Sequence, residues 1–263
     1  MKITVLIENT SPQSHLAAEH GLSLLIETGG RRILFDTGAS GLFAENAARL
    51  GVELASVDAA VLSHGHYDHG GGLLHFLSAN TRATVWASAH AFEPHFNALG
   101  KDIGLPAELA EHPQLRQPAA EILELYPGIT LHSAAQLPLP YPTAGAGMSC
   151  IAQGVRQADD FRHEQYLLLE EAGKRILISG CSHRGILNIA SHFRADVLVG
   201  GFHLMKCDPA QDAGKLQLLA RQLLSLPTRY YTGHCTGDAA FAQLRSIMGE
   251  RLQSFTTGQC IEI

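Results

Sequence analysis

The chain has 263 residues, of which 46% are hydrophobic and 17% charged, and this length allows one large or two small globular domains. Its formal charge of −6 argues against a nucleic-acid partner, because such proteins usually present a basic face. We find no stretch near the roughly 18 apolar residues of a membrane helix and no apolar signal-peptide core at the N-terminus. The five scattered cysteines predict no disulfide framework and a reducing, cytoplasmic location.

The first third of the chain predicts short strands and helices in alternation. Three aliphatic runs have the length and composition of strands, and Gly29-Gly30 between the second and third marks a hairpin. The elements predicted here are, in order, strands at 3–8, 22–27 and 32–35, a helix at 42–50, a strand at 59–63, a helix near 73–77 and a strand at 83–88.

The middle of the chain, about 89–147, is rich in proline. Eight of the eleven prolines lie between Pro94 and Pro142, a density that favours an irregular segment with short helices over a continuing sheet. We expect this insertion to cover the active site as a lid or substrate wall. The alternative is a surface elaboration without a role.

The last third returns to a regular pattern. The runs 166–171 and 175–180 flank Gly173-Lys174 and predict a second hairpin. The elements expected after it are a helix at 185–193, a strand at 196–201, a helix at 211–225, a strand at 228–233 and a helix at 238–248. Two sets of strands, each followed by helices, predict two halves of one layered α/β domain over residues 1–263.

Three histidines and one aspartate occupy positions 64–69, directly after a predicted strand. Alternate residues of an extended chain face the same side, so His64 and His66 can bind one metal ion together. Asp68 and His69 can complete that site or hold a second ion nearby. Imidazole with carboxylate suits zinc, iron or manganese. The alternative is a polar loop of hydrogen-bonded histidines, and so dense a set of ligand-type residues, followed by three glycines, argues against it.

The spacing His64-x-His66-x-Asp68-His69 resembles the signature of the metallo-β-lactamase superfamily. Three further segments are similar to that superfamily in chain order. The first is LFDTG, whose Asp36 matches the aspartate that supports the metal loop in the superfamily. The second is ILISGCSH at 176–183, where a later strand of the superfamily delivers an acidic or thiolate ligand. The third is YYTGHCTG at 230–237, which bears the last histidine. The resemblance implies the metallo-β-lactamase fold, a four-layer αββα sandwich of the α/β class, over nearly the whole chain.

Within the superfamily, several motifs together resemble one branch: LIENT, EHGLSLLIE, LFDTG, LSHGHYDHGGGL, SGCSHRGILNI, GGFHL and GHCTG. That branch includes the archaeal dihydropterin–aminobenzene ribofuranosyl phosphate synthases of methanopterin biosynthesis. It also includes many bacterial proteins named only as metal-dependent hydrolases.

The resemblance implies further metal ligands beyond the first motif. Cys181 stands where the superfamily places a metal-facing aspartate or cysteine, and a thiolate there favours zinc. A buried, inert cysteine is the alternative. His183, two residues later, competes for the remaining position with His163, which precedes the strand before Cys181. We favour His183 and keep His163 as the alternative, and we expect His234 to join Asp68 and His69 at a second ion.

Other residues near strand ends are expected to act on the substrate. His203, in GGFHL, follows a strand at the same sheet edge and is a candidate proton donor or substrate contact. Asp68 is expected to orient the nucleophile as well as to bind metal. The resemblance also implies substrate-binding roles for three residues near the N-terminal strands, Glu8, Asn9 and His20.

Together these assignments predict a metal-dependent hydrolase with two zinc ions, or iron or manganese, that activate water to attack an ester, amide or phosphoester bond. The branch implies a small, phosphorylated or pterin-like substrate and a possible homo-oligomer, whereas the acidic charge and the lack of a long apolar stretch predict no nucleic-acid or membrane partner. One alternative is a phosphoribosyl or dihydropterin-type synthase, a transferase in which the same ligands bind a pyrophosphate. The other is a non-catalytic metal-binding module, and the complete set of capable ligands argues against it.

Overall fold

Seventeen strands and six α-helices make up the structure, a computed structural model that describes residues 1–263. The strands are β1 Lys2–Ile7, β2 Ser23–Thr28, β3 Arg31–Phe35, β4 Ala59–Val61, β5 Thr84–Trp86, β6 His95–Phe96, β7 Leu115–Arg116, β8 Ile122–Tyr126, β9 Ile129–Ser133, β10 Ser149–Ala152, β11 Val155–Ala158, β12 Gln165–Glu171, β13 Lys174–Ile178, β14 Val197–Val199, β15 Arg229–Thr232, β16 Leu252–Ser254 and β17 Cys260–Glu262. The α-helices are α1 Leu42–Arg49, α2 Tyr67–Gly70, α3 Leu73–Ala79, α4 Ile186–Phe193, α5 Ala213–Leu224 and α6 Asp238–Met248, and short 3₁₀ turns cover Leu54–Ser56, Ala107–Glu111, His234–Thr236 and Gly249–Arg251. The longest helix, α5, has 12 residues, whereas about 20 are needed to cross a bilayer, and no helix has the length and apolar character of a membrane span.

The strands form two seven-stranded sheets and one small three-stranded sheet. The first large sheet has the order β17-β1-β2-β3-β4-β5-β7, and the second has the order β16-β15-β14-β13-β12-β9-β8. Both contain a hairpin that the sequence predicted, β2–β3 in one and β12–β13 in the other, followed by parallel strands. In parallel strands the carboxyl ends share one edge of the sheet, and the loops that leave that edge commonly build functional sites.

Alternate side chains along the strands fill three apolar layers. On β3, Ile33 packs between the two sheets, whereas Leu34 faces α1 and α3. On β13, Ile176 packs between the sheets, whereas Leu177 faces α4, α5 and α6. The order of layers is therefore helices, sheet, sheet, helices. The αββα sandwich expected from the sequence is confirmed.

The proline-rich segment contributes to both sheets, so the prediction that no sheet continues through it is wrong. β7 pairs with β5 at the edge of the first sheet, and β9 pairs with β12 in the second. The prolines separate these strands: Pro113 precedes β7, and Pro127 lies in the turn between β8 and β9. A proline outside the strands removes no ladder hydrogen bond, so its presence does not argue against strands on either side.

Candidate metal centre

The predicted ligands lie on loops that leave the parallel strands of both sheets. One of these ligands, His234 after β15, has a left-handed backbone with φ of 50°, and so does the candidate proton donor His203 after β14, with φ of 52°. Asp36, after β3, and Ser182, beside Cys181, share this conformation at 63° and 58°. Residues other than glycine adopt it at a cost of roughly 1–3 kcal/mol, and such residues cluster at functional sites.

Four buried side chains form a cluster that we call the mixed group: Asp68, His69, Cys181 and His234. One ligand atom from each lies within 4.8 Å of the others. His69 Nε2 is 3.1 Å from both Cys181 Sγ and His234 Nε2. Asp68 Oδ2 is 3.2 Å from His234 Nε2. The first strand-end motif and two later ones therefore meet at one point.

The outer nitrogens of both histidines in the mixed group are hydrogen-bonded. His69 Nδ1 donates to Asp36 Oδ2 at 2.7 Å, and His234 Nδ1 donates to Asn9 Oδ1 at 2.9 Å. With their hydrogens on the outside, the two Nε2 atoms present lone pairs to each other at 3.1 Å. Burial lowers the pKa of His69, but Asp36 and Asp68 outweigh it and raise that pKa. The two carboxylates favour a positive charge here, which an added proton or a metal cation can supply. Because the Nε2 lone pairs of His69 and His234 point inward, they suit a metal cation.

His64, His66 and His183 form a second cluster, the three-histidine group, whose ligand atoms also lie within 4.8 Å of one another. The ring centroid of His183 is 5.0 Å from that of His64 and 4.9 Å from that of His66. Burial is the main cause that lowers the pKa of each ring well below its ordinary value, so the rings stay neutral. Nε2 of His64, Nε2 of His66 and both ring nitrogens of His183 are buried without a hydrogen-bond partner. Such orphaned nitrogens are rare in folded proteins, and a bound cation would satisfy them.

One carboxylate, that of Asp36, connects the two groups. Ser63 Oγ accepts from His64 Nδ1 at 2.8 Å and donates to Asp36 Oδ2 at 2.7 Å. Asp36 Oδ1 also accepts the backbone N–H of Ser63 at 2.6 Å. Since the same carboxylate accepts from His69, it orients one histidine of each group. Asp36 was expected to support the metal loop, whereas sequence reasoning missed Ser63.

His163 lies outside both groups. Gly65 N–H donates to its Nδ1 at 3.0 Å, so the ring hydrogen is on Nε2, which lies 3.4 Å from Asp159 Oδ2. His163 therefore presents no free lone pair. His95 and Asp159 complete this third cluster with His66, and sequence reasoning assigned neither. Asp159 precedes His163 by four positions in a polar segment, but nothing in the spacing singles out His95.

A cavity of about 210 Å³ opens over the metal-ligand candidates. His203 lines it, with its ring centroid 4.2 Å from that of His183 and its Nδ1 buried without a partner. His20 lines it too, and its Nε2 is 3.3 Å from Asp68 Oδ2. Lys206 is the one lysine or arginine among the lining residues. The remaining lining residues are His66, Tyr67, Asp68, Asn97, Ile103, Met148, Cys181, His183, Met205 and Cys235.

The sequence profile of the metallo-beta-lactamase superfamily matches residues 17–156, more than half of the chain and all of the first histidine motif. The chain belongs to this superfamily. An uncharacterised protein of Methanocaldococcus jannaschii is 31% identical over 252 residues, covering 93% of this chain and 94% of the relative.

Two further proteins are similar to this superfamily member and match the branch that its motifs resemble. The 7,8-dihydropterin-6-methyl-4-(beta-D-ribofuranosyl)-aminobenzene-5'-phosphate synthase of M. jannaschii is 27% identical, covering 93% of this chain and 90% of the synthase. The crystal structure of Tm1679, a metal-dependent hydrolase of the beta-lactamase superfamily, is 29% identical with a TM-score of 0.85, covering 100% of this chain and 99% of Tm1679. The resemblance seen in the sequence is confirmed by these matches.

Two buried glutamates fix the loops of this superfamily member that carry His183 and His234. Glu8 Oε1 accepts the backbone N–H of His234 at 2.6 Å, and Glu164 Oε1 accepts that of His183 at 2.6 Å. Glu8 Oε2 is also in use, accepting Thr10 N–H at 2.7 Å. The structure therefore gives Glu8 a contact that orients a loop, while its role in substrate binding stays a prediction. Sequence reasoning missed Glu164.

Asn9 contacts the same loop as Glu8. Its Oδ1 accepts from the His234 ring, and its Nδ2 donates to the His234 carbonyl at 3.2 Å. Glu8 and Asn9 line a neighbouring cavity of about 400 Å³, and His234 forms part of its wall. Of the three residues predicted to bind substrate, only His20 lines the cavity over the metal-ligand candidates.

Proposed function

We propose that the protein is a hydrolase that binds one metal ion in the three-histidine group and one in the mixed group. The convergence of inward-facing lone pairs, three side chains in one group and four in the other, carries this proposal. Imidazole, carboxylate and thiolate ligands favour zinc, and iron or manganese are the alternatives. The orphaned nitrogens of the three-histidine group support the same assignment.

We infer that His183, and not His163, is the third ligand beside His64 and His66. Both ring nitrogens of His183 are buried without a partner, so either can bind a metal. Nδ1 of His163 accepts from Gly65 N–H. A metal ligand usually does the reverse, because its second nitrogen donates a hydrogen bond that leaves the first free to coordinate.

The side chains around the cavity have separate roles in the proposed reaction. The three-histidine group and the mixed group would hold divalent ions, which would supply a lowered pKa of water and polarisation of the bond to be cleaved. Asp68, placed between His20 and His234, orients the attacking water and accepts its hydrogen bond. His203, with an unpaired Nδ1 at the cavity, donates a proton to the leaving group.

The cavity supports a small substrate with an anionic group. Its volume of about 210 Å³ is below the roughly 300–1,000 Å³ of typical ligand pockets, so only the reacting part of a substrate would be enclosed. Lys206 belongs to no ion pair of the structure and can attract a negative charge. We propose an ester, amide or phosphoester of a small, phosphorylated or pterin-like molecule.

Metal analysis combined with a hydrolysis panel tests this proposal. Purified protein saturated with zinc should hold two ions per chain and cleave members of an ester, amide and phosphoester panel only when metal is present. His66→Ala and His183→Ala should each lose an ion, whereas His163→Ala should keep both at saturation. Full metal content in the first two variants would contradict the ligand assignment. Failure of the metal-loaded protein on the whole panel would contradict hydrolysis.

The synthase relative supports a second candidate, a metal-dependent transferase. In that reaction the same ligands would bind ions that hold a pyrophosphate leaving group. Incubation of the zinc-loaded protein with phosphoribosyl pyrophosphate and an aminobenzoate separates the two candidates. Release of pyrophosphate coupled to product favours transfer, and its absence excludes transfer with these substrates.

The cellular setting is proposed on the cysteines and the charge. All five cysteines are free thiols, which fits a reducing cytoplasm. A net charge of −6 favours a small-molecule substrate over nucleic acid. A homo-oligomer remains the expectation from the branch, and size-exclusion chromatography with light scattering tests it.

A further inference from the structure

We propose that Asp159 and His95 are positioning residues for the three-histidine group. They act through His163 on the backbone of the loop that joins His64 to His66. The inference rests on the proposed metal binding at that group, and it gives the 89–147 insertion, which carries His95, a defined task.

A chain of hydrogen bonds and one longer polar contact runs from the insertion to this loop. His95 Nε2 donates to the carbonyl of His90 at 3.1 Å, and His95 Nδ1 donates to Asp159 Oδ2 at 2.8 Å. The same carboxylate oxygen lies 3.4 Å from His163 Nε2. His163 Nδ1 accepts from Gly65 N–H at 3.0 Å. Gly65 stands between two proposed ligands, so the chain ends on the backbone that sets their spacing.

The members of this chain are shielded from solvent. The side chains of His95 and His163 are each 1% exposed, and that of Asp159 is 2% exposed. Burial would raise the pKa of Asp159, but the close contacts with His163 and His95 outweigh it and hold that pKa well below its ordinary value. A buried carboxylate held by two histidines keeps its geometry, because no water can replace a lost partner.

Direct packing joins the insertion to the same loop. A Cβ at Gly65 would collide with the backbone carbonyl of Ala91, so only glycine fits there. Tyr67 N–H donates to the carbonyl of Ile103 at 2.9 Å. Asn97 and Ile103 also line the cavity. The insertion is therefore a wall attached to the metal loop, and His95 is a buried point of attachment.

The positions of the histidine ring hydrogens distinguish a positioning role for this cluster from a third metal site. Ligand atoms of His66, His95, Asp159 and His163 lie within 4.8 Å of one another, a distance that a cation could also explain. However, His163 Nδ1 receives a backbone N–H, so its Nε2 carries hydrogen and points it at Asp159. Asp159 accepts a hydrogen bond from His95 and lies against the hydrogen on His163 Nε2 without a regular hydrogen bond, so the carboxylate has two ring partners and needs no cation.

Zinc affinity and zinc stoichiometry, measured separately, test the proposal. Asp159→Asn keeps the shape but removes the charge, and His95→Ala removes the donor, whereas His95→Gln keeps an N–H donor. We expect Asp159→Asn and His95→Ala to lower the zinc affinity of the three-histidine group about 10–100-fold, the range for residues that orient ligands. Two ions should still bind at saturation. His95→Gln should recover most of the affinity.

The matched control is Asp160→Asn, because Asp160 is adjacent, accepts a backbone N–H from Arg162 and has a 53% exposed side chain. Its zinc affinity should equal that of the wild type. An Asp159→Asn affinity equal to this control would overturn the proposal. So would the loss of one ion at saturation in Asp159→Asn, because the cluster would then be a metal site itself.

Nitrogen-15 NMR of the histidine rings tests the wild-type protein without relying on any variant. In the metal-free protein His163 should carry its hydrogen on Nε2. A hydrogen on Nδ1 would overturn the proposal. A wild-type protein that binds no zinc at all would instead contradict the proposed function, so the two failures are distinguishable.

Discussion

The three-histidine group and the mixed group share one loop but differ in charge and in support. The mixed group contains the Asp68 carboxylate and the Cys181 thiol, whereas the other group is neutral. Burial, reinforced by Cys235, raises the pKa of the Cys181 thiol well above its ordinary value, so a bound cation is needed to form the thiolate.

The two groups also differ in how firmly their histidines are held. Both histidines of the mixed group have an outer nitrogen bonded to an acceptor. In the three-histidine group His64 has such a bond, while neither nitrogen of His183 has a partner. Charge and orientation therefore both favour tighter binding in the mixed group. Neighbouring metal positions in one protein can thus be given different affinities by the charge of their ligands and by the residues that orient those ligands.

The largest expected effect comes from removing the charge that distinguishes the mixed group. Asp68→Asn keeps the side-chain shape but replaces a ligand oxygen and the group that orients water. We expect hydrolysis to fall by more than about 100-fold, beyond the range for residues that only orient ligands, and the mixed-group ion to be lost on dialysis. Steady-state kinetics and metal analysis measure both. Asp102→Asn, an exposed carboxylate that accepts Gly104 N–H, is the control, and an Asp68→Asn variant as active as this control would contradict the assignment.

Substitution of Asp36, whose carboxylate supports a histidine of each group, should lower the zinc affinity of both groups. In Asp36→Asn an amide replaces the acceptor for His69 and Ser63, and asparagine tolerates the left-handed backbone at this position. We expect both zinc affinities to fall about 10–100-fold, as measured by chelator competition. Asp196→Asn serves as control, since Asp196 also accepts a backbone N–H, that of Arg175, but is exposed. A change confined to one ion would show that Asp36 serves only that group.

The order in which the ions leave is the direct test of the difference between the groups. Two unit charges about 4 Å apart attract each other by roughly 4 kcal/mol at an effective dielectric constant of 20, and the cost of burying the charges offsets part of this energy. We expect the three-histidine group to lose its ion at a chelator concentration about tenfold lower. Anomalous diffraction from partly chelated crystals identifies the emptied position. Loss from the mixed group first would reverse the comparison.

The smallest effect is expected at Lys206, an exposed residue of the cavity lining. Lys206→Gln should raise KM for the anion bis(p-nitrophenyl) phosphate about 2–5-fold, as expected for an exposed charge contributing roughly 0.2–1 kcal/mol. KM for neutral p-nitrophenyl acetate should not change, and added salt should remove the difference. Lys174→Gln, at a distant hairpin, is the control. Equal effects on both substrates would show that Lys206 does not select for charge.

Local patterns predicted the elements that carry the site. Aliphatic runs of strand length and the glycine turns between them located β2, β3, β12 and β13. The proline count misled for the insertion, because it does not report whether a proline lies inside a strand or between two strands. The same segment carries His95, and no local signal separates this histidine from an ordinary packing residue.

The sequence by itself identified the superfamily through its motifs, and that resemblance implied the order of the layers, while short-range spacing indicated the residue types available to bind metal. Only the tertiary structure decided how those residues divide into two groups and which nitrogen of each ring is free. The partners responsible are far apart in the chain, with Asn9 and His234 separated by 225 positions and Gly65 and His163 by 98. A ring is oriented by whichever acceptor or donor the fold brings to its outer edge, and no local spacing carries that information.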